Sequence, residues 1–140
     1  MSPRSRGHEL IEHTADVGLH VWAPTMDELF EESAMGLIAV MGEVSGASSK
    51  REEVSIEAPD LQGLFVDWLS EVLFLFEARE IVPRAVRVHV EDDKRLAATI
   101  EGPSTEAFME QGPAVKAVTY HGLEIGPSPK GFEARVYLDV

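Results

Sequence analysis

Residues 61–76, LQGLFVDWLSEVLFLF, carry the broadest apolar stripe in the chain. The apolar side chains recur at intervals of three and four residues, which is the spacing of one face of an α-helix. Pro59 and Asp60 precede the stripe and are typical of a helix start. The stretch therefore predicts the central core helix of the protein, with Glu71, which interrupts the stripe, on its solvent edge.

A second helix is predicted between Thr25 and Gly42. Thr25 and Glu28 have the spacing of a capping box, in which each residue bonds to the other at the first turn. The apolar positions that follow again recur at three and four residues, and Gly42 ends the pattern. These positions are Met26, Leu29, Phe30, Leu37, Ile38 and Met41.

Alternation of apolar and polar residues predicts strands before, between and after these helices. The first two strands, near residues 10–12 and 19–22, bracket a loop that contains Asp16, Val17 and Gly18. The segment 44–49 predicts a loop, and the segment 102–112 predicts a loop or one short helical piece. Further strands are predicted at residues 53–58, 85–91, 96–100, 114–125 and 132–140.

The order of elements, β-β-α-β-α-β-β-β-β, predicts an α+β fold. In this fold two main helices pack on one face of a mixed β-sheet and form a two-layer domain. A chain of 140 residues with 44% hydrophobic residues is long enough to bury one core. We therefore expect a single domain over residues 1–140, with residues 1–7 flexible.

The chain is strongly acidic, with 25 Asp and Glu residues against 12 Lys and Arg residues and a net charge of −13. This balance opposes direct binding to nucleic acid, because no excess of cations is present to displace the counterions of the phosphates. It favours a basic protein partner or a divalent cation, although many acidic surfaces serve only solubility. The absence of cysteine excludes disulfides, thiolate metal sites and a cysteine nucleophile.

No apolar run approaches the length of a membrane-spanning helix. The N-terminal segment contains two arginines but lacks the apolar stretch of a signal peptide. We therefore expect a cytoplasmic protein without membrane association. The sequence also lacks a P-loop and a G-x-S-x-G turn, which disfavours nucleotide binding by that route and a serine hydrolase.

Asp16, Asp139 and Val140 are the candidate metal ligands. Asp139 and the terminal carboxylate of Val140 place two anionic groups within one residue of each other, and hard cations prefer oxygen clusters of this kind. Asp16, in the predicted loop, is the best third donor. In the commoner alternative, Asp16 forms an Asx turn and Asp139 is an exposed strand residue.

Several other polar residues allow a functional and a structural interpretation. His13 and His20 are potential ligands or proton carriers, but histidines near strands more often have hydrogen-bonded packing roles. Lys116, a cation in an otherwise apolar and aromatic strand, is either an outward residue that protects a sheet edge or a contact to an anion. The sequence indicates no specific role for His121.

Three motifs together resemble the archease family. They are EHTADVGLHVWAPTMDELFEESAMGLIAVM at residues 12–41, KAVTYHGLEI at residues 116–125 and VYLDV at residues 136–140. The resemblance implies an accessory protein that activates an RtcB-type tRNA-splicing RNA ligase by promoting its guanylylation and multiple turnover, without being a catalyst itself. It also implies a divalent metal, Ca, Mg or Mn, bound by Asp16, Asp139 and Val140.

Two other classes of function remain open. A stand-alone metal-dependent enzyme would need a general base and a substrate pocket beside the metal, and no second carboxylate–histidine pair is evident near Asp139. A small acidic protein could also be a chaperone or a modulator of another RNA-modifying enzyme, such as a methyltransferase.

Overall fold

The computed structural model describes residues 5–12 and 16–140, so His13, Thr14 and Ala15 lie outside it. Within these ranges the chain forms two α-helices, α1 (Met26–Met41) and α2 (Leu61–Ala78), and a short 3-10 helix, Thr105–Ala107. The strands in these ranges are β1 (Gly7–Glu12), β2 (Asp16–Ala23), β3 (Gly42–Val44), β4 (Lys50–Glu57), β5 (Ala85–Asp92), β6 (Arg95–Gly102), β7 (Phe108–Glu110), β8 (Ala117–Ser128) and β9 (Gly131–Asp139). Neither helix is long and apolar enough to span a membrane across the described part of the chain.

The strands pair in three sheets, and every pairing among the described strands is antiparallel. The first sheet has the order β1-β2-β9-β8, the second β3-β7 and the third β4-β6-β5. The predicted α+β class with two main helices is confirmed, and the strands are divided among three sheets instead of forming one mixed sheet. Short connections at β5-β6 and β8-β9 favour antiparallel hairpins, because a parallel pair needs a long crossover.

The inner face of the first sheet, defined as the face toward the helices, forms much of the core. Alternate residues such as Leu19, Val21, Val136 and Leu138 are fully buried there, with α1 packed against β2 and α2 against β8. Their strand neighbours therefore lie on the opposite, outer face. This alternation places Asp16 and Asp139 on the outer face.

The predicted central helix carries the largest buried side chain, Trp68. Its indole N–H donates to the backbone oxygen of Phe30 at 2.8 Å, which joins α2 to α1. The rings of Phe30 and Phe65 meet edge to face with centroids 5.3 Å apart. Both predicted helix starts are confirmed, since the side chains of Thr25 and Asp60 cap α1 and α2 by accepting backbone N–H bonds.

Carboxylates on α1 cover the free edge of the third sheet at β5. Oε2 of Glu31 accepts from the backbone N–H of Val88 at 2.9 Å, and Oδ1 of Asp27 accepts from that of Val90 at 2.7 Å. An open strand edge has unpaired N–H groups that can pair with another chain. Here the helix satisfies two of them.

The start of β1 and the residue before it are attached to α1 by ion pairs. Glu32 contacts Nδ1 of His8 at 2.5 Å and Nε of Arg6 at 3.0 Å. The hydrogen bond with Glu32 raises the pKa of His8 above its ordinary value. Burial opposes the charged form of Glu32, but the hydrogen bonds from His8 and Arg6 outweigh burial and lower its pKa. Of the segment predicted to be flexible, residues 1–4 lie outside the described ranges.

Three segments differ from the sequence-based expectation. Asp16, Val17 and Gly18, predicted in a loop, are the first residues of β2. Gly18 interrupts the sequence pattern of a strand, but a strand tolerates glycine where another group approaches the backbone closely. The segments predicted as loops near residues 44 and 110 contain β3 and β7, which are too short, at three residues each, to show a period.

Candidate functional site

Asp16 and Asp139 are direct partners across the pairing of β2 with β9. Asp16 is the first residue of β2 and Asp139 is the last residue of β9. Directly opposed residues of an antiparallel pair point to the same face, with Cβ atoms about 4.5–5.5 Å apart. The two carboxylates, far apart in sequence, therefore meet on the outer face at one end of the first sheet.

The neighbours of Asp139 fix its position. Its backbone oxygen accepts from the N–H of Lys116 at 2.7 Å, and Ala117 is its partner on β8. Val140, the next residue, is half-buried and packs against the core. Val140 is thus a packed residue directly beside Asp139.

The donor set at this position fits a hard divalent cation. Asp16, Asp139 and the terminal carboxylate supply only oxygen atoms, which Ca²⁺, Mg²⁺ and Mn²⁺ prefer. Opposed like charges destabilise a strand pair, so a cation bound between the carboxylates would stabilise this end of the sheet. In the described ranges no three His, Asp or Glu side chains form a metal-binding group. A site here therefore needs a third donor beside Asp16 and Asp139, for which the sequence predicts the carboxylate of Val140; His13 lies outside the described ranges.

Tyr137 lies beside the two carboxylates on the outer face, and sequence analysis did not identify it. A Cβ atom on Gly18 would lie 2.9 Å from its ring, and one on Gly122 would lie 2.8 Å from it. The ring therefore extends over two neighbouring strands at positions where only glycine leaves enough space. The alternation in VYLDV, which places Tyr137 on the face of Asp139, was a signal that could have found it.

The motif YHGLE forms an irregularity in β8 directly beside Tyr137. The pairing of β8 with β9 shifts between Thr119 and Glu124, and Gly122 has a φ of +70°, which favours glycine. Tyr120 and His121 are exposed within this segment. Bulges of this kind often lie next to functional sites, because they redirect side chains.

The remaining candidates lie elsewhere. Lys116 was predicted within a strand but precedes β8, and its exposed side chain lines a cavity of about 460 Å³ with Phe76 and Phe108. Glu71 is half-buried on α2 and faces Ser55 of β4 across a shallow cavity. His20 is also on the outer face, but it lies four residues along β2 from Asp16, which corresponds to about 13 Å at 3.3 Å per residue. The structure therefore brings together Asp16, Asp139 and Val140, and separates them from His20 and Glu71.

Comparisons with known proteins agree with this fold. The model of the Archease protein family matches residues 8–140. The protein archease of Methanosarcina barkeri is 34% identical over 100% of both chains. The protein archease of Ictalurus punctatus is 35% identical over 86% of this chain and 78% of that relative.

Two solved structures are also similar. The solution structure of protein 1598 from Methanobacterium thermoautotrophicum has a TM-score of 0.74 and 32% identity. The match covers 96% of this chain and 99% of protein 1598. A crystal structure from Thermotoga maritima, described as an archease and possible chaperone, has a TM-score of 0.64. The match covers 94% of this chain and 96% of the Thermotoga chain. Its identity of 20% supports the fold alone.

Proposed function

This chain belongs to the archease family, and from that premise we propose that it activates an RtcB-type RNA ligase by promoting guanylylation and multiple turnover. In this proposal Asp16, Asp139 and the carboxylate of Val140 bind a divalent cation. The observation that carries the proposal is the direct cross-strand pairing of Asp16 with Asp139, the residue before Val140.

The residues of the site have distinct roles in this proposal. The carboxylates bind and orient the cation, which would supply positive charge for a phosphate oxygen of the partner's nucleotide. The backbone bond from Lys116 and the packing of Val140 hold the terminal donors in place. Preorganised ligands of this kind lose little conformational freedom when they bind.

The charge of the chain supports a protein partner. An enzyme that handles RNA needs cations near its active site, and a protein with a net charge of −13 is complementary to such a surface. We propose an accessory role without catalysis, because the archease family to which the chain belongs implies an activator of the ligase and not a catalyst.

The test is multiple-turnover ligation by the cognate RtcB-type ligase, with guanylylation followed separately. Wild-type protein should raise both, and Asp139→Asn should not, because the amide removes one anionic donor while keeping its size. Asp93→Asn, an exposed aspartate in the β5-β6 turn, is the matched control and should act like the wild type. Equal activation by Asp139→Asn and the wild type would refute the metal-site proposal. No activation by the wild type would favour a chaperone or a modulator of another RNA-modifying enzyme.

A further inference from the structure

A further cavity lies on the outer face of the first sheet, at the end opposite the paired aspartates. It has a volume of about 350 Å³, and β2, β9 and the turn after β8 contribute to its wall. Trp22 lies six residues from Asp16 along β2, which corresponds to about 20 Å at 3.3 Å per residue. The residues that line it include Glu9, His20, Trp22, Lys130 and Glu133.

Trp22 and His20 form an aromatic wall. Their ring centroids are 5.3 Å apart with the planes inclined by 51°. A Cβ atom on Gly7 would lie 2.6 Å from the indole ring, so glycine at this position provides the space that the ring occupies. Trp22 is half-buried and faces the cavity with part of its surface. A fixed aromatic surface of this kind attracts cations.

Two carboxylates flank the imidazole of His20. Nδ1 of His20 is 2.8 Å from Oε1 of Glu9, and Nε2 is 3.6 Å from Oε2 of Glu133. Nε2 is buried and makes no hydrogen bond within the described structure. The side chains of Glu9 and Glu133 remain 59% and 46% exposed, so both carboxylates are accessible from solvent.

We propose that this cavity binds an arginine side chain of a basic protein partner. Lys130 also lines the cavity and has an interaction of its own, but the two glutamates outnumber its charge. A guanidinium group is planar, stacks on an indole and bonds to carboxylates in a bidentate manner, whereas an ammonium group is a compact and strongly hydrated charge. The chemistry of the wall therefore selects arginine over lysine.

The cavity and the paired aspartates share the outer face. A partner that docks across this face would contact both ends, so the arginine site would orient it along the strands. The inference goes beyond the proposed metal site, and it requires neither a bound metal nor a ligase as the partner.

The test is titration of the full chain, labelled with ¹⁵N, with the peptide acetyl-Gly-Arg-Gly-amide. The indole N–H of Trp22 and the backbone amides of Glu9, His20 and Glu133 should shift. The analogue that carries citrulline, which is uncharged and nearly isosteric, should leave them unchanged. Trp68 supplies an internal reference, because it is fully buried in the core.

Substitutions connect the binding to the two carboxylates. Glu9→Gln and Glu133→Gln should each weaken peptide binding by about three- to tenfold, the range expected for one partly solvated charge contact. Glu124→Gln is the matched control, since Glu124 is an exposed glutamate on the same face, opposite Arg135 of β9. Spectral dispersion equal to that of the wild type would show that each variant is folded.

Three results would overturn the proposal: equal binding of the citrulline peptide, equal weakening by Glu124→Gln, or equal affinity for a lysine peptide. Peptide binding that persists in Asp139→Asn would show that this site is independent of the metal site. Failure of ligase activation therefore leaves the arginine site testable, and failure of the arginine site leaves the metal site testable.

Discussion

Replacing Glu31 with alanine should destabilise the protein by uncovering the free edge of β5. Oε2 of Glu31 accepts from the half-buried N–H of Val88, and its side chain is only 18% exposed. A hydrogen bond to a charged group contributes about 1.5–3 kcal/mol to stability. Alanine at position 31 would leave the N–H of Val88 without this bond, so that contribution would be lost. The ion pair of Glu31 with Arg6 is partly solvated and adds about 0–1 kcal/mol.

We therefore expect Glu31→Ala to lower the free energy of unfolding by about 2 kcal/mol. For a chain of this size the loss corresponds to a decrease in Tm of about 4–8 °C. Glu31→Gln keeps an oxygen acceptor without the charge, so its loss should be smaller, at about 0.5–1 kcal/mol. Glu77→Ala, at an exposed position of α2, is the control and should stay within about 0.5 kcal/mol of the wild type.

Urea denaturation followed by circular dichroism measures the free energies, and hydrogen exchange measured by NMR reports on the Val88 amide directly. Exchange at Val88 should accelerate in Glu31→Ala more than exchange at core amides of α2. An unfolding free energy equal to that of Glu77→Ala, or unchanged protection of Val88, would refute the edge-capping argument.

Three further predictions concern pH, backbone space and metal. The pKa of His8 is raised, so the stabilisation that His8 provides is complete below its ordinary pKa of 6.5 and is lost as pH rises through the raised pKa. The pKa of Glu32 is lowered, so the stabilisation that Glu32 provides is complete above its ordinary pKa of 4.5 and is lost as pH falls through the lowered pKa. The difference in unfolding free energy between the wild type and His8→Gln should therefore be largest between pH 4.5 and 6.5, and a difference that is constant up to pH 9 would contradict this account. Gly122→Ala should lower the free energy of unfolding by about 1–3 kcal/mol, because the residue has a positive φ and its Cβ would contact Tyr137. Gly126→Ala is the control, since a Cβ there meets nothing within 4 Å, and an equal Tm for the two variants would argue against strain at Gly122. Calcium or manganese should raise the Tm of the wild type but not that of Asp16→Asn, and an equal rise in both would exclude Asp16 as a ligand.

The sequence determined the features that depend on local interactions. The caps at Thr25 and Asp60 and the apolar faces of both helices depend on residues three or four positions apart, which a sequence displays directly. The alternation in β9 likewise indicated that Asp139 points away from the core. Because each helix and most strands could be recognised from such local patterns, the order of elements, and with it the α+β class, was also predictable.

The tertiary structure alone decided which strands pair and in what register. Asp16 was expected in a loop because Gly18 interrupts the strand pattern. In the structure, the ring of Tyr137 occupies the space that this glycine leaves, and Tyr137 belongs to β9, near the other end of the chain. The pairing of Asp16 with Asp139 depends in the same way on the register between β2 and β9. Such contacts form only when the shared core brings distant segments together, and no local pattern records them.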